Sequence, residues 1–191
     1  FFDKKSLTKY LTTIRKNKSI GFVPTMGALH EGHIALIKNS KQESDITVCS
    51  IFINPTQFNN NTDFINYPKN TDKDLSLLKK NNCDIVYIPK VEDLYIKSEE
   101  PKTYDFNGLE TVMEGKHRPG HFNGVATIVE KLFNIIKPEK AFFGEKDLQQ
   151  LQIVKKLVKK IKGNTIIKSI PTVRELSGLA KSSRNELLTQ A

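Results

Sequence analysis

Stretches of apolar residues at helical spacing alternate along the chain with short apolar runs of strand-forming residues. Leu7, Leu11 and Ile14 recur every three or four positions, which predicts an amphipathic helix over 3–17. The run 46–53 (ITVCSIFI) is almost continuously apolar, as is typical of a parallel strand buried on both faces. We also predict strands at 19–23, 84–88, 140–143 and 165–170, a short strand at 103–106, and helices at 34–43, 71–82, 123–136 and 146–161.

This alternation predicts an α/β fold: a Rossmann-like open, mostly parallel sheet with helices on both faces. Pro24 is expected to end the first strand, and 54–70 and 114–120 are predicted to be loops. Ligands of such a sheet bind beyond the carboxyl ends of its strands. Polar segments follow the strands at 24–33, 54–70, 144–150 and 174–184, so the candidate site lies there.

Size and composition narrow the class of protein. The 191 residues suffice for one domain with a substantial core, or for one domain and the start of another. The net charge is +9, but 26 of the 30 basic residues are scattered Lys, which argues against a nucleic-acid partner. The sequence contains no run of about 18 apolar residues, so we predict no membrane-spanning segment. Residues 1–5 do not resemble a signal peptide. We expect a cytoplasmic protein, with Cys49 and Cys83 as buried free thiols.

The segment 24–33 (PTMGALHEGH) follows a predicted strand and opens a predicted helix. A helix N-terminus offers unpaired N–H groups and the positive end of the helix dipole, and so attracts phosphate. His30 and His33 lie on one side of this turn, where they are placed to donate hydrogen bonds to a triphosphate. The alternatives are a zinc site, which would need further ligands, and a surface pair without a role.

Two other segments predict contacts with small anionic or polar groups. Gln57 follows the buried strand in NPTQF, and its amide can hold a carboxylate or a hydroxyl without adding a charge. His117, Arg118 and His121 form a cationic patch that attracts anions. An Asn-Pro turn with an exposed Gln57, and an ordinary basic surface loop, are the alternatives.

The segment 142–150 (FFGEKDLQQ) again follows a strand and opens a helix. Gly144 permits close approach of a ligand, and Lys146 is placed to reach a phosphate. Asp147 is placed to accept from a ribose hydroxyl, and Gln150 points from the next turn toward the same cleft. An ordinary acidic helix start is the alternative interpretation.

The segment 181–185 (KSSRN) places two hydroxyls and a guanidinium at a predicted helix start near Asn185. Ser182, Ser183 and Arg184 are together a phosphate-binding group. A simple Ser N-cap is the alternative.

In this order and spacing, the segments PTMGALHEGH, NPTQF, the YP of Tyr67-Pro68, RPGHF-x-G, FGEKD-x-QQ and SSRN resemble the pantothenate synthetase family, within the H-x-G-H nucleotidyltransferase superfamily. The resemblance runs over essentially all 191 residues. It implies a ligase that forms a C–N bond, joining pantoate to β-alanine through a pantoyl-adenylate and releasing AMP and pyrophosphate. It also implies ATP and Mg²⁺ as the nucleotide substrate and its metal, and a homodimer.

The resemblance also implies roles by position. The residues implied in catalysis are His30, His33, Lys146, Ser182, Ser183 and Arg184, which also contact ATP. The other implied ATP contacts are Met26, Gly144, Asp147, Val173 and Lys181, and the implied pantoate contacts are Pro24, Met26, Gln57, His121 and Gln150. Asp74 is implied to help hold Mg²⁺, mainly through the nucleotide.

The same resemblance predicts how the chain is divided. Residues 1–173 would form the Rossmann-like domain that binds nucleotide and pantoate. Residues 174–191 would form a hinge and the start of a smaller C-terminal lid domain, largely absent from this chain. Lys181 stands where the family usually has an apolar residue, and Glu175-Leu176-Ser177 replaces the more usual Glu-Pro-Asp.

Two other functions stay open at this point. A related nucleotidyltransferase that acts on a phosphorylated acceptor would be favoured if Arg or Lys replaced Gln57 and Gln150. A non-catalytic domain that binds nucleotide or nucleic acid is supported by the basic charge alone, and the clustered histidines count against it.

Overall fold

The computed structural model describes residues 1–95 and 102–187. Within these ranges five parallel strands form one sheet, in the spatial order β3-β2-β1-β4-β5. The strands are β1 (Ile20–Thr25), β2 (Ile46–Ile51), β3 (Ile85–Tyr87), β4 (Lys140–Gly144) and β5 (Ile166–Ile170). The strand order reverses at β1, between β2 and β4, so the crevice for a ligand is expected at that point.

Helices connect the strands. They are α1 (Lys4–Ile14), α2 (Glu31–Glu43), α3 (Asn61–Ile65), α4 (Thr71–Lys80), α5 (Val91–Leu94), α6 (Glu114–His117), α7 (His121–Ile136) and α8 (Leu148–Lys160). Single 3₁₀ turns occur at Pro55–Gln57 and Glu145–Asp147, and a longer one at Ser183–Leu187. No helix in 1–95 or 102–187 is both long enough and apolar enough to cross a membrane.

Alternate residues of each strand pack on opposite faces of the sheet. Phe22 and Val48 belong to a core cluster with α1, α7 and α8. Their neighbours Val23 and Cys49 belong to a second cluster with α2 and α4. The sheet is therefore covered by helices on both faces, which confirms the predicted α/β class and explains the unbroken apolar sequence of β2.

The strand β1 continues through Pro24, so the prediction that Pro24 ends it is wrong. The Thr25 carbonyl accepts from the N–H of Phe52 beside β2 at 3.0 Å, so the backbone of Pro24 faces the β4 side. β4 pairs with β1 at Gly21 and Phe22, before the strands reach Pro24. A proline is tolerated there because the ladder with β4 has already ended, and the gap beyond it opens the crevice.

Three local predictions are also corrected. Residues 103–106 are not a strand, although Tyr104 and Phe106 are buried in the core. The predicted loop 54–70 contains a 3₁₀ turn and α3, and the predicted loop 114–120 contains α6. Short helices of this kind are set by tertiary packing rather than by apolar periodicity, since four or five residues hold too little pattern.

Candidate active site

A cavity of about 380 Å³ lies beyond the carboxyl ends of β1, β4 and β5. Of the residues predicted for the site, those that line it are Pro24, Met26, His30, His33, Gln57, His121, Gly144, Lys146, Asp147, Gln150, Val173, Lys181, Ser182, Ser183 and Arg184. Asp74 is not among them. Segments that follow β1, β2, β4 and β5 converge on this cavity because the strands are parallel, and residues of α6 and α7 complete its lining.

The two histidines of H-x-G-H form the N-terminal cap of α2. The Nδ1 atom of His30 accepts from the N–H of Gly32 at 3.1 Å, and Nδ1 of His33 accepts from the N–H of His30 at 3.3 Å. Their ring centroids are 4.1 Å apart. The reciprocal bonds satisfy two N–H groups at the helix start and fix both rings.

This cap also determines the tautomer of each ring. Since both Nδ1 atoms accept, the proton of a neutral imidazole is on Nε2, which is left free to donate. Burial, with smaller contributions from His30 and Lys146, lowers the pKa of His33 to about 3. Burial and the Lys146 ammonium also lower the pKa of His30. Both rings are therefore neutral at physiological pH and present N–H donors to an anion.

The lowered pKa of His33 makes folding stability depend on pH. The unfolded chain takes up a proton near pH 6.5, whereas the folded state resists it, so stability is full above pH 6.5 and falls toward pH 3. Between pH 7 and pH 5, we expect the free energy of unfolding of the unchanged protein to fall by about 1–2 kcal/mol more than that of His33→Asn. Urea titrations at both pH values measure this difference.

The comparison of the unchanged protein with His33→Asn contains its own control. A difference in the free energy of unfolding that is the same at both pH values reports the changed helix cap. A difference that changes with pH reports the titration of the His33 imidazole. Parallel curves for the two proteins would show that His33 titrates normally in the folded state.

Amide side chains form another part of the cavity lining. Gln57 is 8% exposed, and its Nε2 lies 3.0 Å from the sulfur of Met26. Asn54 donates to the Gln57 side-chain oxygen at 3.2 Å and is itself held by the Tyr95 hydroxyl at 2.7 Å. Gln150 also lines this cavity. Asn54 was not predicted, although its place directly after a buried strand is the signal that would have identified it.

The backbone of Gln57 holds the start of α7. Nδ1 of His121 lies 2.8 Å from the Gln57 carbonyl oxygen, and the Arg118 guanidinium donates to the same oxygen at 3.3 Å. A side chain at Gly124 would come within 2.4 Å of the Thr56 carbonyl, so only glycine allows this approach of α7. Arg118 also forms an ion pair with Glu114 at 2.5 Å. His117, of the same predicted patch, is exposed and does not line the cavity.

The basic side chains that line the cavity include Lys146 and Arg184. The Lys146 ammonium contacts Asp147 at 3.1 Å, and Arg184 contacts both oxygens of Asp63 at 2.9 and 3.2 Å. The Arg184 guanidinium also lies over the ring of Tyr67, 5.5 Å from its centroid. The partners Asp63 and Tyr67 precede Arg184 by more than 110 residues, so local sequence could not show these contacts.

Two neighbours of Arg184 fix the last loop against the first motif. Ser183 donates to the Ala28 carbonyl at 3.0 Å. The Lys181 ammonium bridges Glu175 at 2.6 Å and Glu31 at 3.2 Å, and both contacts raise its pKa. Lys181, which stands where the family usually has an apolar residue, therefore has two carboxylate partners. One of them, Glu31, lies on α2.

Asp74, predicted to help hold Mg²⁺, has different contacts. It is 1% exposed, and its carboxylate oxygens accept from the N–H groups of Ala28 at 2.9 Å and Leu29 at 2.7 Å. Gly27, at φ +83°, passes so close that a side chain there would meet the Asp74 carboxylate at 2.9 Å. The geometry supports a structural role for Asp74: it holds the loop that positions His30.

A parallel sheet of this strand order, with an imidazole pair at a helix start facing a Lys and Arg loop, defines a Rossmann-like nucleotide-binding protein. The family model for pantoate–β-alanine ligase matches residues 1–191. The chain belongs to the pantoate–β-alanine ligase family.

Individual pantothenate synthetases and pantoate–β-alanine ligases are similar to this chain. A pantothenate synthetase from Flavobacterium psychrophilum is 54% identical, over 98% of this chain and 68% of that protein. One from Christiangramia forsetii is 51% identical, over 99% and 68%. The crystal structure of a pantoate–β-alanine ligase from Francisella tularensis, complexed with β-γ ATP and β-alanine, is 43% identical with a TM-score of 0.96, over 99% of this chain and 72% of that one. The chain thus spans about two thirds of the length of these relatives.

Proposed function

We propose that this chain carries the nucleotide and acid sites of an enzyme that joins pantoate to β-alanine, using ATP and passing through a pantoyl-adenylate. AMP and pyrophosphate would be released. The observation that supports this most directly is one cavity lined by two chemically different sets of side chains. Neutral imidazole donors, Lys146 and Arg184 form one set, and the amides of Gln57 and Gln150 form the other.

The imidazole donors and the cationic side chains suit a triphosphate. His30 and His33 would donate from Nε2 to oxygens whose negative charge grows as pyrophosphate departs. Lys146, Ser182 and Arg184 would bind the phosphates, while Gly144, Asp147 and the backbone of Val173 would hold the nucleoside. Because the pantoate carboxylate is already a nucleophile, adenylation needs positioning and charge stabilisation more than a base.

The proposed Mg²⁺ would reach the site with the nucleotide. In the part of the chain that the structure describes, no group of three or more His, Cys, Asp or Glu side chains could hold a metal ion. A metal carried mainly by triphosphate oxygens and water fits this composition, since Mg²⁺ commonly keeps several waters and few protein ligands.

The amide side chains distinguish this function from that of a nucleotidyltransferase that acts on a phosphorylated acceptor. Such an acceptor would require free cationic side chains beside the amides. Gln57 and Gln150 are neutral, and the charge of Arg118 is paired with Glu114. Pantoate, which has one carboxylate and hydroxyl groups, is the better match to amides.

Assembly, location and domain boundary rest on the family resemblance. We infer a homodimer, which size-exclusion chromatography with light scattering would test, and a cytoplasmic location. A hinge over 174–191 stays a prediction; there Arg174 and Ala180 pair in an antiparallel bridge.

The substrate assignment predicts how pyrophosphate release depends on each substrate. With ATP and pantoate but no β-alanine, we expect one burst of pyrophosphate per active site, because the acyl-adenylate stays bound. Adding β-alanine should convert the burst to steady turnover. A coupled pyrophosphate assay on the full-length protein measures both.

Two comparisons make this test specific. Gln57→Leu keeps the volume of the side chain but removes its polar atoms, and should raise the KM for pantoate more than the KM for ATP. AMP release without pantoate, or with another acid at equal rate, would refute the substrate assignment.

A further inference from the structure

His121 differs from the other two imidazoles of the cavity in its tautomer. It is the first residue of α7, is 4% exposed and lines the cavity. Its Nδ1 lies 2.8 Å from the carbonyl oxygen of Gln57, and a carbonyl oxygen can only accept. Nδ1 therefore carries the proton, and Nε2 of the neutral ring has a free lone pair. His30 and His33 have the opposite arrangement.

The surroundings of Nε2 suit proton uptake. The Glu114 carboxylate lies 4.0 Å from Nε2 and would stabilise an imidazolium formed there. Asp147 likewise raises the pKa of His121, while Arg118 lowers it. Burial is the largest influence and lowers the pKa of His121, so the ring is neutral and able to accept at physiological pH.

The attack of the amine on the acyl-adenylate, which is the second half of the proposed reaction, needs a base. The adenylation of pantoate, the first half, does not. A primary alkylamine such as the amine of β-alanine is protonated at neutral pH and has no lone pair with which to attack. Neither His30 nor His33 can serve, because each has only an N–H left to present to the cavity. Of the three imidazoles that line the cavity, His121 alone has an unprotonated nitrogen left over.

We propose that Nε2 of His121 is the general base that deprotonates the amine substrate, an assignment that rests on the proposed function. Nε2 takes one proton from the ammonium, and the nitrogen lone pair forms the C–N bond with the acyl carbon of the adenylate. The bond from that carbon to the phosphate oxygen breaks, and its electron pair leaves with AMP. The second nitrogen proton goes to the departing phosphate.

A single-turnover experiment separates this role from positioning. Full-length protein, in excess over ATP, is mixed with ATP and pantoate until the pyrophosphate burst ends, and an amine is then added. The amines are β-alanine, protonated at neutral pH, and hydroxylamine, largely unprotonated there. His121→Asn keeps a donor for the Gln57 carbonyl but has no basic nitrogen. His117→Asn, an exposed histidine four residues earlier, is the matched control.

We expect His121→Asn to slow amide formation with β-alanine at pH 7 by about 100-fold, with a much smaller effect on the burst and on hydroxylamine. Its rate with β-alanine should rise with pH in proportion to the free amine, unlike that of the unchanged protein. Equal losses with both amines after a normal burst would overturn this assignment alone. Absence of the pantoate-dependent burst in the unchanged protein would overturn the proposed function and this assignment with it.

Discussion

His30→Ala is expected to slow the pantoate-dependent release of pyrophosphate by about 100- to 1,000-fold, the usual effect of removing one preorganised donor to a developing anion. The Nδ1 atom of His30 is committed to the N–H of Gly32, so its Nε2–H is the group available to the phosphates. Rapid-quench measurement of the burst, in full-length protein, gives the rate of this step directly.

The same side chain caps α2, so alanine also removes a structural bond worth about 1 kcal/mol. His30→Asn separates the two roles, because asparagine is a good N-cap but is too short to place a donor where Nε2 lies. We expect His30→Asn to be as stable as the unchanged protein and nearly as slow as His30→Ala. Full activity in His30→Asn would show that capping is the only contribution of His30. His117→Ala, outside the cavity, is the activity control.

Asp74→Ala is expected to lower the free energy of unfolding by about 3 kcal/mol, since it leaves two N–H groups of the loop before α2 without their charged acceptor. The replaced carboxylate is 1% exposed, so water cannot easily take its place. Urea titration at pH 7 in buffer with EDTA measures the loss. Asp74→Asn retains one carbonyl acceptor and should lose roughly half as much.

The control is Asp72→Ala, an exposed acid in the same first turn of α4, which should cost no more than about 0.5 kcal/mol. The two possible roles of Asp74 give different results. If Asp74 acted mainly on a metal, Asp74→Ala would match Asp72→Ala in metal-free buffer and differ from it only when Mg²⁺ and ATP are present.

Much of the site could be predicted because parallel strands place their carboxyl ends on one edge. His30, His33, Lys146 and Gln57 lie in segments that follow a strand, so each was predicted without knowledge of the strand order. For Asp74, a role toward Mg²⁺ stays a prediction, but its bonds to the N–H groups of Ala28 and Leu29, 46 and 45 residues away, could not be predicted from local sequence. The tautomer of His121 likewise depends on the Gln57 carbonyl, 64 residues away.

The sequence alone determined the α/β class, the positions of the main helices and strands along the chain, and which segments carry the chemistry. These features depend on local periodicity and on side chains next to a strand end. The tertiary structure decided the order of the strands, the gap beside Pro24, and the pairing of Arg184 with Asp63. It also decided which nitrogen of each imidazole faces the cavity. Such contacts join residues far apart in the chain, and only close packing of the finished fold brings them within hydrogen-bonding distance.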